Sequence, residues 1–370
     1  MTLAGRVLAD LRAQAALLAA GGGPASGLAL RTALATVLSV LAALALHLDS
    51  PDWAGITALA IVQKDVASTL ARSIDRAAGT VAGAAIGFVG VGVIDDHLLF
   101  GSLCIAAVAL GIYGEARVTH GYAMLLGGLT AILVLFGSLD APEQALTVAV
   151  YRALEILVGI VVSFLVDYAL CPTGLLRASL PPKPGLFARP VDRSLLALAL
   201  TAGISGVLII VIWEGFQLPG FGQTPISAFL ILAAMRGEPW LSALNRIGGC
   251  FVGGVYGLVA MAACGDALLP WLALMLAGLF VTAHVKHGGK DSAYAGHQAA
   301  IAVVLAMVQG FAPSDDILPA IDRLVGIAGG ILVVAVGEIL LLPVVRGAID
   351  RVLAQPGEGV GSRRGDATDG

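Results

Sequence analysis

Residues 76–87 read RAAGTVAGAAIG and residues 246–257 read RIGGCFVGGVYG, each an arginine followed by glycine at regular spacing. Residues four apart share one face of an α-helix, so each stretch predicts a helix with a smooth glycine face. Such faces let membrane helices approach each other closely. The expected helix-packing positions are Gly79, Gly83, Gly87, Gly249, Gly253 and Gly257. The recurrence of this stretch at an offset of 170 predicts an internal repeat.

The same repeat continues beyond the glycine stretch. Four more residues recur at an offset of 171, namely Arg152, Gly159, Asp167 and Pro172 as Arg323, Gly330, Glu338 and Pro343. Tyr122 and Tyr294 open the fifth apolar segment of each copy. We infer two tandem copies of one structural unit.

The composition assigns the chain to a membrane. Hydrophobic residues make up 58% of the 370 residues and charged residues only 12%, with a mean hydropathy of +0.93. A soluble domain carries about 25% charged residues because its surface faces water. These values exclude a disordered chain, a nucleic-acid-binding protein and a secreted disulfide scaffold. The chain is therefore interpreted as an all-α, multi-pass protein whose main partner is the lipid bilayer.

Twelve apolar segments are candidate transmembrane helices. They lie near 30–48, 53–63, 77–94, 98–114, 121–138, 151–171, 194–213, 224–235, 247–264, 267–283, 293–311 and 324–342. If all twelve cross and the N-terminus is inside, only Arg152 and Arg323 of the 21 Lys and Arg residues fall outside the inner segments. The positive-inside rule expects this division. Each copy then crosses six times, an even number, so the copies run parallel and a pseudo-two-fold axis lies along the membrane normal.

These spans set the expected domains. They are a cytoplasmic amphipathic segment at 1–26, a first six-helix repeat at 27–172, a cytoplasmic linker at 173–192, a second six-helix repeat at 193–345 and a disordered cytoplasmic tail at 346–370. We expect both termini to be cytoplasmic and the protein to lie in a bacterial-type inner (plasma) membrane.

Three motifs carry a resemblance to a known family. They are the sequence PDWA at 51–54, the pattern RxxGxxxG at 76–83 and the pattern RxxExxxG at 152–159, whose helix ends at Pro172. In these features the chain resembles the fusaric acid resistance (FUSC) family of integral membrane transporters over residues 27–345. The family is related to aromatic acid exporters and to the plant aluminium-activated malate transporters. The resemblance implies export of aromatic and other organic carboxylic acids.

The second segment of each copy predicts a transport path. Residues 54–63 and 224–234 are apolar for about 15 Å of helix, against about 30 Å of hydrocarbon. Paired short segments at matching positions point to the central site of a transporter. Gln63, Lys64 and Arg236 are therefore substrate-path candidates. The alternative is that Lys64 and Arg236 are inner-loop cations that extend to the membrane interface.

Two equivalent arginines form a second set of path candidates. Arg152 and Arg323 begin the sixth helix of each copy, and a guanidinium group suits a carboxylate. The alternative is local pairing, because Glu155 lies one turn from Arg152 and Asp322 precedes Arg323. Glu155 is accordingly a proton-relay or structural candidate.

Three other polar residues are candidates for the same two roles. Asp167 and Glu338 would cost on the order of 2–3 kcal/mol if they faced lipid, so we expect them to face the bundle. There they either relay protons or accept hydrogen bonds from Arg76 and Arg246 or from a helix end. His297 is either a proton carrier or a buried histidine with its hydrogen bonds satisfied.

The leading hypothesis is an inner-membrane secondary transporter that exports small organic anions, aromatic carboxylates among them, coupled to protons. The alternatives are a passive organic-anion channel and a membrane component of a larger efflux assembly. The sequence carries no nucleotide-binding motif and no recurring Ser/His/Asp or metal-ligand pattern, so we expect no enzyme activity, no metal and no cofactor. A homo-oligomer or a periplasmic efflux protein is the expected protein partner.

Overall fold

The computed structural model describes residues 2–92, 95–139, 141–170, 190–218, 239–265, 267–308 and 318–354. Within these ranges the regular structure is helical, with no strand. The α-helices are α1 (Leu3–Ala19), α2 (Pro24–Ala45), α3 (Pro51–Ile61), α4 (Val66–Val91), α5 (His97–Arg117), α6 (Gly121–Gly137), α7 (Ala145–Leu170), α8 (Arg193–Phe216), α9 (Pro239–Cys264), α10 (Leu268–Gly288), α11 (Ala293–Met307) and α12 (Leu318–Ala354). A 3₁₀ turn at Pro142–Gln144 precedes α7.

Eight of the described helices are long and apolar enough to cross a membrane. They are α2, α4, α5, α7, α8, α9, α10 and α12. Helices α6 and α11 are also apolar but shorter, with 17 and 15 residues, and α3 has only 11. The described residues thus confirm the expectation of an all-α protein with several helices that can cross a membrane.

The predicted segments within the described ranges are all helices, but their ends differ from the expectation. Helix α4 begins at Val66 rather than near 77, because the Asp65 carboxylate caps it by accepting the Ser68 N–H at 2.8 Å. Helix α12 continues through Pro343 to Ala354, beyond the boundary at 346. Leu342 and Ile349 lie two turns apart and pack on α8, which holds this extension in place. The segment 224–235 lies outside the described residues.

The glycine faces bring two pairs of helices into backbone contact. A side chain at Gly79 or Gly83 of α4 would meet carbonyl oxygens of α6. A side chain at Gly249 or Gly253 of α9 would meet carbonyl oxygens of α11 in the same way. The third position of each row, Gly87 or Gly257, faces Val134 or Ala306. Close approach at these rows fixes how α6 and α11 lie in the bundle.

Four further contacts between helices form two matching pairs. Helix α5 packs on α8 and α10 packs on α2, while α2 contacts α7 and α8 contacts α12. One core cluster joins α5, α6 and α8, and another joins α2, α3, α9, α10 and α11. Helices from the two halves of the chain therefore pack against each other in a reciprocal way.

Candidate functional site

A cavity of about 610 Å³ lies between helices from both halves of the chain. Three helices each present one face to it, as residues three, four or seven positions apart require. The lining residues on these faces are Asp52, Trp53, Ile56, Ala60 and Gln63 beside α3, Tyr122, Leu125, Leu126 and Leu129 on α6, and Tyr294, His297, Gln298, Ile301 and Leu305 on α11. The cavity follows α3 from Asp52 to Gln63, which lies just beyond the end of the helix.

Basic side chains outnumber acidic ones in the cavity wall. The basic residues are Arg72, Arg76, Arg246 and Lys286, and the acidic residues are Asp52 and Glu115. Arg76 and Arg246 are buried, whereas Arg72 is exposed. Because charges interact strongly where little water is present, this wall favours an anion over a cation.

Two arginines hold equivalent positions against two tyrosines. The Nη1 of Arg76 donates to the Tyr122 hydroxyl at 3.2 Å, and its Nε donates to the Thr57 hydroxyl at 3.2 Å. The Nη1 of Arg246 lies 3.3 Å from the Tyr294 hydroxyl and 2.9 Å from Oε1 of Gln298. Among the described residues, no carboxylate forms an ion pair with Arg76.

Aromatic rings lie beside these cations. The guanidinium carbon of Arg72 is 4.0 Å from the centre of the Tyr122 ring, so Tyr122 contacts two arginines from successive turns of α4. Trp53 forms part of the cavity wall, and the guanidinium carbon of Arg152 lies 4.3 Å from the centre of its ring. The cavity therefore offers both flat apolar surfaces and hydrogen-bond donors.

The break between α3 and α4 positions Lys286. The chain leaves the helix at Val62, and the Gln63 N–H donates to the Thr69 hydroxyl at 3.0 Å instead of the Leu59 carbonyl. The Leu59 carbonyl is thereby available and accepts a hydrogen bond from Nζ of Lys286. A cation at this carboxyl end of α3 is also favoured by the helix dipole.

The first group of path candidates, which includes Gln63 and Lys64, does not lie together in the central cavity. Gln63 lines the cavity, whereas Lys64 is exposed and lies outside it. Arg236 lies outside the described residues.

Arg152 and Glu155 form a local ion pair, which is the alternative to a place for Arg152 in the transport path. Nη1 of Arg152 lies 3.1 Å from Oε2 of Glu155, while Oε1 of the same carboxylate accepts the Ser50 N–H at 2.8 Å. Arg152 is not part of the cavity wall. The side chain of Arg323 lies outside the described residues.

Asp167 pairs with a residue that the sequence analysis did not consider for it. It is fully buried and forms an ion pair with Arg31 of α2 at 2.7 Å, rather than with Arg76 or Arg246. Glu338 is half-buried and forms no ion pair with the described residues.

His297 lies in the cavity wall. Its buried Nδ1 makes no hydrogen bond with the part of the chain that the structure describes. No group of three potential metal ligands occurs among the described His, Cys, Asp and Glu residues.

The sequence analysis missed the four basic residues that line the cavity. Arg72, Arg76, Arg246 and Lys286 were treated as inner-loop cations, because hydropathy places them at the ends of apolar segments. A signal was nonetheless present for one pair, since the Arg76–Tyr122 combination recurs as Arg246–Tyr294. Lys286 has no such signal, since its partner is a backbone carbonyl.

The chain is similar to named transporters over part of its length. The profile of the "Fusaric acid resistance protein family" matches residues 27–181, and that of "Fusaric acid resistance protein-like" matches residues 205–337. The uncharacterized transporter YdhK of Salmonella typhimurium is 30% identical over 137 residues, which are 36% of this chain and 20% of that protein. The uncharacterized transporter GOX0755 of Gluconobacter oxydans is 28% identical over 195 residues, or 50% of this chain and 25% of that protein.

A further relative has a substrate in its name. The p-hydroxybenzoic acid efflux pump subunit AaeB of Edwardsiella ictaluri is 30% identical over 156 residues, or 39% of this chain and 24% of that protein. The matched region thus spans about a fifth to a quarter of these relatives' length. No solved structure matches the chain. The two profiles together cover both halves, and they confirm the resemblance seen in the sequence: the chain belongs to the fusaric acid resistance protein (FUSC) family.

Proposed function

We propose that this protein transports small organic carboxylates, aromatic ones among them, through the cavity between its two halves. The observation that carries the proposal is the cavity wall, in which four basic residues and three aromatic residues surround one space. The names of the relatives support a transporter, and one of them names an aromatic carboxylic acid.

An aromatic carboxylate suits this wall chemically. Its carboxylate would accept hydrogen bonds from Arg76 and Arg246, whose planar guanidinium groups present parallel donors. Its ring would lie against Trp53, Tyr122 and the leucines of α6. Such a division, with a few placed polar groups in a mainly apolar wall, is usual for small-molecule sites.

The proposed topology is twelve crossings in two parallel six-helix repeats, 27–172 and 193–345, joined by 173–192. The segment 1–26, the tail 346–370 and both termini would be cytoplasmic, with the protein in the inner membrane. The reciprocal packing of α5 on α8 and of α10 on α2 supports a two-fold relation between the halves.

Export is proposed to be coupled to protons, with His297 as the relay candidate. Its imidazole lies in the cavity wall, and histidine is a common proton carrier in proteins. Asp167 and Glu155 are assigned structural roles, because each is engaged by a neighbouring arginine. A passive channel stays the alternative, and assembly into a larger pump is supported only by the word "subunit" in a relative's name.

The test is a flux assay in proteoliposomes loaded with p-hydroxybenzoate, with the neutral 4-hydroxybenzamide as matched cargo. We expect the protein to accelerate movement of the anion at least tenfold over empty liposomes and to leave the amide at the empty-liposome rate. An imposed pH gradient should drive the anion uphill. Equal acceleration of both compounds would overturn the anion proposal, and flux that follows membrane potential but ignores the pH gradient would favour the channel.

A further inference from the structure

A second cavity, of about 680 Å³, lies at the end of the bundle where α1 is found. Its wall is built from the start of α2, the link between α3 and α4, and the last residues of α7 and α10. The residues that define its character are Leu28, Leu30, Arg31, Lys64, Leu170 and His287. This second cavity is separate from the central cavity to which the transport function is assigned above.

The wall of this second cavity suits a small amphipathic anion. Its three leucines provide an apolar surface, while its charged groups are basic. Arg31 is held by the buried Asp167, so its charge is already balanced. Lys64 is exposed and forms no ion pair with the described residues, which leaves its ammonium group as the cation that faces an incoming ligand.

His287 lines both the second cavity and the central one. It is the residue that the two cavity walls share, and the preceding Lys286 lines the central cavity. Nε2 of His287 lies 2.9 Å from the hydroxyl of Thr32, which is buried on α2. The two cavities therefore share a side chain that is held by a hydrogen bond to α2.

We propose that the second cavity is the entrance vestibule of the transport path, in which Lys64 and the leucines bind the organic carboxylate before it passes His287. This inference rests on the proposed function and adds a binding site and a gate to it. The order of positive groups, Lys64 first and then Lys286 with the arginines, gives the anion a favourable contact at each stage.

The charge of Lys64 can be removed and restored in one variant. In Lys64→Cys, we expect p-hydroxybenzoate flux to fall at least fivefold. Modification with 2-aminoethyl methanethiosulfonate, which returns an ammonium group, should restore it, whereas the anionic sulfonatoethyl reagent should not. Lys290→Cys is the matched control, because Lys290 is an exposed lysine outside both cavity walls. The wild-type chain with its four cysteines controls for background modification.

The gate is tested with His287→Ala and His287→Phe, each compared with wild type at equal protein level. We expect the smaller residue to raise flux at least twofold and the larger one to lower it. Access to the vestibule is read independently of flux in the variant Leu30→Cys, which keeps Lys64, as the rate at which the introduced thiol is modified with and without p-hydroxybenzoate. The ligand should slow this rate at least threefold.

The outcomes separate the two proposals. Flux in the wild type with no effect of the Lys64 change, or no protection of the introduced thiol, would overturn the vestibule and leave the proposed function standing. Absence of wild-type flux would overturn the proposed function, while protection of that thiol would still support an anion site. If phosphatidylglycerol in the liposomes slows modification and p-hydroxybenzoate does not, the cavity is a lipid headgroup site and the vestibule is wrong.

Discussion

At the scale of single residues, the cavity depends on how its arginines are held. Arg76 and Arg246 both donate to tyrosine hydroxyl groups, which are weaker acceptors than carboxylates. An incoming carboxylate can therefore take over these donors without first separating Arg76 from an acid. In this respect Arg76 differs from Arg31 and Arg152, whose charges are balanced within the protein.

We expect Arg76→Ala and Arg246→Ala each to lower p-hydroxybenzoate flux by about 10- to 150-fold. A hydrogen bond to a charged group contributes about 1.5–3 kcal/mol, which corresponds to that range. The measurement is initial flux in proteoliposomes, with Arg12→Ala on the exposed face of α1 as the control. Flux at the wild-type rate in both variants would remove these arginines from the path.

Arg152→Ala should act on stability rather than on selectivity. Glu155 is only 1% exposed, and removing its partner leaves a buried charge, which typically costs about 3–5 kcal/mol. We expect a lower melting temperature in detergent, with partial recovery in the double variant Arg152→Met, Glu155→Gln. If flux instead falls for the anion alone at an unchanged melting temperature, Arg152 belongs to the path.

At the scale of elements, glycine faces allow α4 and α9 to pack closely on α6 and α11, whereas polar contacts hold α1 against the bundle. Arg6 of α1 pairs with Asp291 at 2.7 Å, and Gln14 donates to the Gly288 carbonyl at 3.0 Å. The Asp10 carboxylate accepts from the Ser292 N–H and hydroxyl. These contacts attach α1 to the loop between α10 and α11, two helices that contribute to the cavity wall.

Neighbouring glycines on α9 allow a matched test of helix packing. A Cβ at Gly253 would collide with the Ala299 carbonyl on α11, whereas a Cβ at Gly254 would meet open space. We expect Gly253→Ala to destabilise the protein by about 1–3 kcal/mol, the usual cost of overpacking. Gly254→Ala should be neutral or slightly stabilising, because alanine favours a helix by up to about 1 kcal/mol. Equal melting temperatures for the two variants would contradict this packing.

Docking of α1 should depend on pH in a defined direction. Burial raises the pKa of Asp10, but hydrogen bonds from Ser292 and Lys290 outweigh it and leave the pKa below the ordinary 3.8. The hydrogen bond from Arg6 likewise lowers the pKa of Asp291. A carboxylate whose pKa is lowered by docking stabilises the docked helix at pH values above its ordinary pKa. This stabilisation is lost as the pH falls through the lowered pKa of the docked state.

We therefore expect α1 to stay protected from hydrogen exchange at neutral pH and to become exposed only below about pH 4, where these carboxylates protonate. Asp10→Asn should weaken protection at neutral pH and reduce the pH dependence. Release of α1 between about pH 5 and pH 7 would show that other groups control it, since carboxylates with lowered pKa values stay charged there.

At the scale of the whole molecule, the cavity is formed by both halves of the chain. Helix α6 contributes one wall and α11 contributes the other, and each is positioned by the glycine row on the helix that packs against it. We expect twelve crossings, so cysteines at Thr2 and Arg351 should be labelled from one side of the membrane and a cysteine at Asp95 from the other. Labelling of Thr2 and Arg351 from opposite sides would require an odd number of crossings.

The sequence predicts the helices well because lipid imposes a length and a composition on each span. It predicts the polar first turns of α4 poorly, because hydropathy alone begins the span near 77, after Arg72 and Arg76. These arginines lie within the helix because the cavity supplies partners such as Tyr122 and Thr57. The Arg31–Asp167 pair joins residues 136 positions apart, and no local pattern indicates it.

The two walls from α6 and α11 are equivalent in place but not in chemistry. Where α6 has Leu125 and Leu126, α11 has His297 and Gln298. A molecule with a ring at one end and a charged group at the other therefore has one preferred way to lie between them. We expect each cargo molecule to lie the same way across the cavity, so binding in this protein would select the orientation of the cargo as well as its charge.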